Sequence, residues 1–366
     1  MKRRYKILGG IGIVTAAGVL SAALYMSHDS PCGAAPPLPP GVPQMKANVY
    51  RCYGSPDVVR YEDIVKPTPA DNEVLVRVHA ASVNPLDWHY MEGTPYFVRA
   101  GLGVGKPESP RLGVDFSGTV EAVGKKVTRF KPGDEVFGGQ IGAFAEYVVI
   151  PEDDSIALKP NAVTFEQAAS APIAGITALQ ALQGRLHAGQ KVLINGASGG
   201  VGTFAVQIAK AMGAEVTGVC SPRNLELVRS IGADHVIDYT QEDFTRGSER
   251  YDLIVDNVAT HSVLEYRRVL NPHGIYVQIG SIDIGNWFGI FKLPLESKVL
   301  SPFMTQKFSL MEADLTRQDL VRLGALMESG KVKPVIDRRY KVSEAAAALR
   351  YVEAGHARGK VVLITD

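Results

Sequence analysis

Residues 192–216 read VLINGASGGVGTFAVQIAKAMGAEV and predict the fold of the middle of the chain. An apolar strand, VLIN, leads into a glycine-rich turn, and a helix from about Val201 to Met212 leads to a second apolar strand. Glycines at such a turn let the backbone approach a pyrophosphate, and the amides at the helix start face its charge. The stretch therefore predicts a dinucleotide site formed by Ala197, Ser198, Gly199, Gly200, Val201 and Gly202.

The residues after the second strand indicate which dinucleotide is bound. This strand, EVTGVC, ends at Cys220 and is followed by Ser221, Pro222 and Arg223. It lacks the carboxylate that holds the ribose hydroxyls of NAD. A hydroxyl and a guanidinium can hydrogen-bond a 2′-phosphate, whereas a carboxylate would repel it. We therefore expect NADPH, with Ser221 and Arg223 at its phosphate.

The segments on either side of the glycine turn predict an α/β fold. Downstream, apolar strands such as HVIDY, DLIVDN and GIYVQIGS alternate with amphipathic helices, which indicates a doubly wound parallel sheet covered on both faces. Upstream, short β-rich runs such as EVLVRVHAAS and FSGTVEAVG are separated by turn signals and indicate a β-barrel module. A new domain is expected to begin near Thr164, which can N-cap a helix.

The beginning of the chain predicts a membrane anchor. Lys2, Arg3, Arg4 and Lys6 precede an uncharged run from Ile7 to Met26. At ~1.5 Å per residue this run matches a hydrocarbon core of ~30 Å. A cleaved signal peptide is the alternative, although the run is long for one and SHDSPCG offers no small-x-small cleavage site. We expect one uncleaved transmembrane helix, as in a bacterial inner membrane, with the side that carries the catalytic domain left open.

The proline-rich segment PCGAAPPLPPGVPQ, residues 31–44, predicts an extended tether between this anchor and the rest of the chain. The 366 residues carry a net charge of +1 and no basic face or tail, which argues against a nucleic-acid partner. Cys32, Cys52 and Cys220 are isolated, and their spacing fits neither a disulfide framework nor a zinc site. We therefore expect unpaired thiols.

Further motifs resemble those of the medium-chain dehydrogenase/reductase superfamily, specifically its zinc-free quinone oxidoreductase branch, which includes the chloroplast-envelope and mitochondrial quinone reductases. The motifs are YGSPDV, VHAASVNPLDW, LGVDFSGTVEAVG, VTRFKPGDEVFG, GAFAEYVV, GADHVIDY and GHARGKVV. The resemblance runs from Met45 to the end. It implies a GroES-like catalytic domain that the chain leaves for a Rossmann domain and re-enters later. The expected limits are 1–44 for anchor and linker, 45–172 for the catalytic domain, 173–309 for the NADPH-binding domain and 310–366 for the return.

The same resemblance implies that the zinc ligands of the metal-dependent relatives are missing from this chain. Zinc-dependent relatives carry a cysteine at the position of Asn84 and Gly-His-Glu where this chain has Gly113, Val114 and Asp115. A zinc site needs about three protein ligands, so we expect no metal. Without a Lewis acid, the hydride acceptor must already be electrophilic, as a quinone or the β-carbon of an α,β-unsaturated carbonyl is.

By resemblance, the loop that begins at Asn84 lies beside the nicotinamide. Asn84 and Asp87 would orient the cofactor and fix the loop, and Trp88 would form an apolar wall. His89 or Tyr90 would donate a hydrogen bond or proton to the developing enolate. Ordinary packing is the alternative for these last two residues.

Other cofactor contacts are implied only by the resemblance. They are Thr177, Tyr239, Asn257, Gly280, His356, Ala357 and Arg358. A solvated turn is the alternative for His356 and Arg358. The aromatic stretch from Trp287 to Phe303 is expected to be a dimer or lid element, so a second copy of the chain is a candidate partner.

These expectations lead to one predicted function and two alternatives. The predicted protein is a membrane-tethered NADPH-dependent reductase of small lipophilic quinones or α,β-unsaturated carbonyls. The first alternative is a metal-free alcohol or aldehyde oxidoreductase. The second is a non-catalytic NADPH-binding membrane scaffold.

Overall fold

A computed structural model describes residues 21–281 and 285–365 of the chain. The strands of its first half form a two-stranded ribbon and most of a larger, mainly antiparallel sheet. The ribbon is β1 (Gln44–Val49) with β2 (Arg60–Val65), and the larger sheet contains β3 (Glu73–Val83), β4 (Asp115–Val123), β5 (Glu135–Gly139), β6 (Tyr147–Pro151) and β7 (Ile156–Leu158).

The middle of the chain forms a parallel sheet. In the described residues its strands are β8 (Lys191–Asn195), β9 (Glu215–Cys220), β10 (His235–Asp238), β11 (Tyr251–Asp256), β12 (Leu270–Gln278) and β13 (Lys307–Leu310). They lie in the order β10-β9-β8-β11-β12-β13, and every neighbouring pair is parallel. The order reverses at β8, so a crevice opens where β8 and β11 end.

The last strands return to the first sheet. They are β14 (Ile336–Lys341) and β15 (Lys360–Ile364). β15 pairs with β3 in antiparallel register, so the end of the chain lies beside the strand that leads into the Asn84 loop. The predicted α/β class, with its GroES-like and Rossmann-type parts, is confirmed, whereas the exact domain limits stay predictions.

Helices cover both faces of the parallel sheet, and others pack against the larger, mainly antiparallel sheet. They are α1 (Pro85–Glu92), α2 (Arg99–Leu102), α3 (Phe165–Ala169), α4 (Pro172–Leu182), α5 (Gly200–Ala211), α6 (Leu225–Ser230), α7 (Val263–Val269), α8 (Lys292–Leu300), α9 (Arg317–Glu328) and α10 (Ala345–Glu353). Thr164 caps α3 as expected, because its hydroxyl accepts from the Gln167 amide at 3.2 Å. A second helix, α4, follows directly, and Pro172 begins it at a position where a proline is tolerated.

The predicted membrane anchor is the first expectation about the beginning of the chain that needs correction. Of the predicted membrane span, residues 7–20 lie outside the described residues, and residues 21–27 form a short helix. In the described ranges, no helix has both the length and the apolar run that crossing a bilayer requires. This finding contradicts the predicted membrane-anchored localisation and leaves the predicted transmembrane helix without support.

The prediction that the cysteines are unpaired is a further correction. Cys32 and Cys52 form a disulfide with their Cα atoms 4.6 Å apart, and Cys220 is a buried free thiol. The disulfide attaches the proline-rich segment to the loop after β1. Arg99 adds a second attachment, because its Nη1 donates to the carbonyls of Met26 at 3.2 Å and His28 at 3.0 Å. Such long-range pairing leaves no trace in local sequence.

Candidate active site

The glycine turn combines one closely packed position with one open position. Gly196 adopts a φ of 76°, which favours glycine, and Gly199 caps α5. A Cβ on Gly202 would lie 2.1 Å from the Gly196 carbonyl oxygen, so only glycine lets the helix pack this closely on the strand. A Cβ on Gly199 would meet only that same oxygen, at 3.5 Å. The space beside Gly199 is therefore available to a ligand.

An unpartnered amide oxygen lies where the crevice opens. Asn257 follows β11, and its Nδ2 donates to the Asn195 carbonyl at 2.8 Å. Its Oδ1 is buried and has no hydrogen-bond partner in the described part of the chain. A Cβ on Gly280 would lie 3.1 Å from the Asn257 carbonyl, so the end of β12 packs against the same residue. Buried orphan acceptors call for an explanation, and a bound donor group is a direct one.

Polar side chains also meet at the predicted 2′-phosphate position. Asn224 Nδ2 donates to Ser198 Oγ at 2.9 Å and to Ser221 Oγ at 3.1 Å, while Asn224 Oδ1 is buried without a partner in the described residues. Arg223 is exposed, and its Nη2 donates to the His356 carbonyl at 2.9 Å. The structure thus brings Ser198, Ser221, Arg223 and His356 together from three distant segments. Asn224, which the sequence reasoning omitted, orients two of them.

The remaining predicted cofactor residues are more loosely placed. Thr177 is buried in α4, and its hydroxyl donates to a carbonyl one turn back in that helix, at 2.7 Å. Tyr239, just after β10, is 61% exposed and free to contact a ligand. Ala357 is half-buried, and the backbone N–H of the exposed Arg358 donates to Asp337 Oδ2 at 2.9 Å. These positions stay predictions.

A buried polar cluster lies beside the glycine turn, where three neighbouring strands of the first sheet, β3, β4 and β15, begin or end. It consists of Asn84, Asp115 and Lys360, all buried. Lys360 begins β15; its Nζ donates to Asn84 Oδ1 and lies 3.5 Å from Asp115 Oδ2. Asn84 Nδ2 donates to the same Asp115 oxygen at 2.9 Å, as does Ser82 Oγ. The Lys360 side chain also lies 3.2 Å from the position a Cβ on Gly200 would take.

Burial dominates the electrostatics of this cluster. Burial raises the pKa of Asp115 and lowers the pKa of Lys360, and the attraction between the two opposes both changes. Burial also raises the pKa of the neighbouring Asp87 to about 8. Asp87 Oδ2 accepts from the Asn84 amide at 2.7 Å, whereas its Oδ1 has no partner in the described residues. Burial therefore favours the neutral form of Asp87.

Sequence reasoning missed Lys360, although it lies within the quoted GHARGKVV motif. The available signal was a lysine placed directly between a glycine and the apolar strand VVLI. A fully buried lysine is rare unless it is paired. Its partners lie far away in the chain, so the sequence could have predicted burial but not the contact.

His89 and Tyr90 differ in what they can donate. His89 Nδ1 lies 2.9 Å from the Thr94 carbonyl oxygen, which only accepts, so Nδ1 carries the hydrogen. Burial lowers the pKa of His89 to about 4, and its Nε2 is then an acceptor at pH 7. Burial, assisted by Asp87 and Glu312, raises the pKa of Tyr90, which keeps its hydroxyl protonated. Tyr90 is thus the better hydrogen-bond donor.

The side chains at the positions that carry zinc ligands in zinc-dependent relatives form a poor ligand set for a metal ion. In residues 21–281 and 285–365, no three His, Cys, Asp or Glu side chains are grouped so that they could hold a metal ion. Asn84 and Asp115 are instead hydrogen-bonded to each other and to the Lys360 ammonium. A divalent cation there would face a positive charge and lack soft ligands.

Comparison with known proteins agrees with this architecture. The family model for the alcohol dehydrogenase GroES-like domain matches residues 70–161, and that for zinc-binding dehydrogenase matches residues 231–363. A trans-enoyl reductase of Aspergillus terreus is 36% identical over 81% of this chain and 87% of its own length. A chloroplastic NADPH-dependent alkenal/one oxidoreductase of Arabidopsis thaliana is 34% identical over 87% of this chain and 79% of its own.

A solved structure supports the same assignment. The quinone oxidoreductase from Coxiella burnetii is 31% identical, covers 88% of this chain and 100% of its own, and superposes with a TM-score of 0.76. The similarity thus spans both sheets and the crevice between them. The chain belongs to the medium-chain dehydrogenase/reductase superfamily, among its quinone oxidoreductase-like members.

Proposed function

We propose that the protein is an NADPH-dependent reductase that transfers a hydride to quinones or α,β-unsaturated carbonyls without zinc. The observation that carries this proposal is the buried Lys360 ammonium between Asn84 and Asp115. These two residues take the positions of zinc ligands or their neighbours in zinc-dependent relatives. With a lysine there, the acceptor must be electrophilic without help from a metal. The relatives described above, an enoyl reductase, an alkenal/one oxidoreductase and a quinone oxidoreductase, are named for such acceptors.

The crevice fits a dinucleotide phosphate. The open space beside Gly199 and the amides at the start of α5 suit the pyrophosphate. Arg223 and Ser221 offer donors for a 2′-phosphate, and the unpartnered Asn257 Oδ1 suits an amide or hydroxyl donor. When bound, NADPH supplies the hydride, while the protein binds and orients both reactants.

The chain must also stabilise the oxygen of the acceptor. Negative charge develops on this oxygen as the hydride is added, and a positioned donor lowers that energy. Tyr90 suits this role, because its raised pKa keeps the hydroxyl as a donor across the neutral range. His89 is less suitable, since its hydrogen is committed to the Thr94 carbonyl. Asn84 and Asp87 would act as positioning residues, because they hold the start of α1 together.

The test uses the full chain and follows the loss of NADPH absorbance with menadione, a bicyclic quinone, or benzylideneacetone, an aromatic enone. We expect turnover with both acceptors, no loss on adding a chelator, and a preference for NADPH over NADH. Arg223→Ala should weaken NADPH by about tenfold or more and leave NADH little changed, because only the former carries the 2′-phosphate. Preference for NAD with a primary alcohol, inhibition by the chelator, or NADPH binding without turnover would each contradict the proposal.

A further inference from the structure

Asp256 is the last residue of β11 and is fully buried where the crevice opens. Its Oδ1 accepts three hydrogen bonds of 2.9 Å, from Nδ2 of Asn195 and from the backbone amides of Val258 and Ala259. Its Oδ2 accepts a fourth from the Tyr276 hydroxyl at 3.0 Å. One carboxylate thus joins β8, β11 and β12 near their carboxyl ends.

The turn after Asp256, residues 257–259, has a conformation that depends on this carboxylate. Ala259 has a φ of 52°, and among the residues that the structure describes it is the only one besides glycine with a positive φ. This left-handed conformation is unfavourable for a residue with a Cβ, and it persists only where surrounding contacts impose it. The hydrogen bonds from the Val258 and Ala259 amides to Asp256 Oδ1 are contacts of this kind.

The same turn carries the unpartnered acceptor of the candidate site. Asn257 donates twice to the Asn195 carbonyl, from its backbone amide at 3.2 Å and from its Nδ2 at 2.8 Å. Its Oδ1 is buried and has no partner among the described residues. Asp256 holds both the Asn195 side chain and the turn that bears Asn257. The position of the Asn257 oxygen therefore depends on Asp256.

The strand order indicates which half of a dinucleotide would meet this turn. The glycine turn follows β8, at the point where the strand order reverses, and suits the pyrophosphate. Ser221 and Arg223, predicted to bind the 2′-phosphate, follow β9 on one side of β8. The Asn257 turn follows β11 on the other side. A dinucleotide that spans the crevice therefore has its adenosine half toward β9 and its nicotinamide half toward the Asn257 turn.

We propose that Asp256 is a positioning residue for the nicotinamide half of the cofactor. It fixes the turn of residues 257–259 so that Asn257 Oδ1 is available as an acceptor for an amide or hydroxyl hydrogen of that half. Asp256 acts through Asn257, because its own oxygens already accept from four protein donors. This inference rests on the proposed reductase function and adds a residue that touches neither reactant.

The experiment uses the full chain and isothermal titration calorimetry. It compares the affinity for NADPH with that for adenosine 2′,5′-bisphosphate, which carries the 2′-phosphate but no nicotinamide. Asp256→Ala should weaken NADPH by about tenfold or more and change the bisphosphate by less than about twofold. Asp256→Asn keeps Oδ1 as an acceptor and can donate from Nδ2 to the Tyr276 hydroxyl, so it should bind NADPH within about threefold of the wild type.

Asp252 provides a matched control on the same strand. It also joins β8 and β12, because it accepts from the Lys191 amide at 2.9 Å and from Asn271 Nδ2 at 2.7 Å, but it does so near the amino ends of the strands. Asp252→Ala should therefore lower the urea concentration at which the chain unfolds, as Asp256→Ala should, and leave both affinities unchanged. The control separates a loss of stability from a loss of positioning.

A second pair of variants alters the turn without changing the carboxylate. Ala259→Val should weaken NADPH but not the bisphosphate, because a β-branched residue disfavours a positive φ, whereas Ala259→Gly should keep NADPH binding. This pair decides the question if Asp256→Ala does not fold.

Two results would overturn the positioning role of Asp256. They are an unchanged ratio of the two affinities in Asp256→Ala and Ala259→Val, and equal losses for both ligands. A wild type that binds neither ligand would contradict the proposed function as well. A wild type that binds both ligands and reduces no acceptor would contradict the proposed function alone.

Discussion

Lys360 Nζ lies 3.5 Å from Asp115 Oδ2, and both side chains are buried. This ion pair joins the start of β15 to the start of β4, and β3 lies between these two strands. Removing one partner would leave the other buried without a counter-charge. We therefore expect Lys360→Met to lower the free energy of unfolding by about 3–5 kcal/mol.

Urea unfolding measures this effect. The matched control is Lys360→Met combined with Asp115→Asn, which removes both charges and should recover part of the lost stability. If Lys360→Met unfolds like the wild type, or if the double variant is less stable than the single one, the ion pair does not carry the stability assigned to it.

Two glycines of the nucleotide turn should respond differently to the same substitution. Gly199→Val should fold with near wild-type stability, because only one protein atom lies near the added Cβ. It should weaken NADPH binding by more than about tenfold, since the side chain fills the space for the pyrophosphate. Gly202→Val should instead lose about 3 kcal/mol of stability, because its Cβ would overlap the Gly196 carbonyl.

Fluorescence titration with NADPH and thermal unfolding separate the two outcomes. If a folded Gly199→Val variant binds NADPH with normal affinity, the pyrophosphate does not bind at this turn.

The buried His89 should make stability depend on pH. Its pKa is lowered in the folded chain from 6.5 to about 4, so the unfolded chain takes up a proton first as the pH falls. The stabilisation from neutral His89 is complete above about pH 6.5 and is lost as the pH falls toward 4. Relative to His89→Gln, the wild type should lose about 2 kcal/mol of unfolding free energy between pH 7 and 5. If the unfolding free energies of the two proteins change with pH in the same way, the His89 ring is exposed to water and its pKa is not lowered.

The disulfide should be detectable by counting thiols. In unfolded protein, alkylation without reductant should label only Cys220, and alkylation after reduction should label Cys32 and Cys52 as well. Because the disulfide joins residues 20 positions apart, Cys32→Ser should cost about 3 kcal/mol of stability. Three alkylated cysteines before reduction, in protein purified without reductant, would show that the pair is not formed.

The sequence predicted the parts of the molecule that depend on local pattern. The helix expected from about Val201 to Met212 is observed at Gly200–Ala211, because strand, glycine turn and helix are adjacent in the chain. The doubly wound parallel sheet was also predicted, from the alternation of apolar strands and amphipathic helices. Pairings between distant segments could not be predicted in this way.

Lys360 and Asn84 are 276 residues apart, and the Cys32–Cys52 pair depends on how the proline-rich segment folds back. The membrane anchor was inferred from basic residues followed by a long uncharged run, and the described residues contain no helix that would span a bilayer. A local pattern indicates which structures a segment could adopt. Where the segment packs depends on residues elsewhere in the chain, such as Arg99, which donates to the carbonyls of Met26 and His28.

Direct transfer of a labelled hydride tests the central claim most directly. The full chain is mixed with NADPH deuterated at the transferable position of the nicotinamide and with benzylideneacetone, in the presence of a chelator, and the product is analysed by mass spectrometry and NMR. We predict one deuterium at the β-carbon of the saturated ketone, formed at the same rate with and without the chelator. An unlabelled product, a label at any other carbon, or a reaction that stops when the chelator is added would contradict zinc-independent hydride transfer from NADPH.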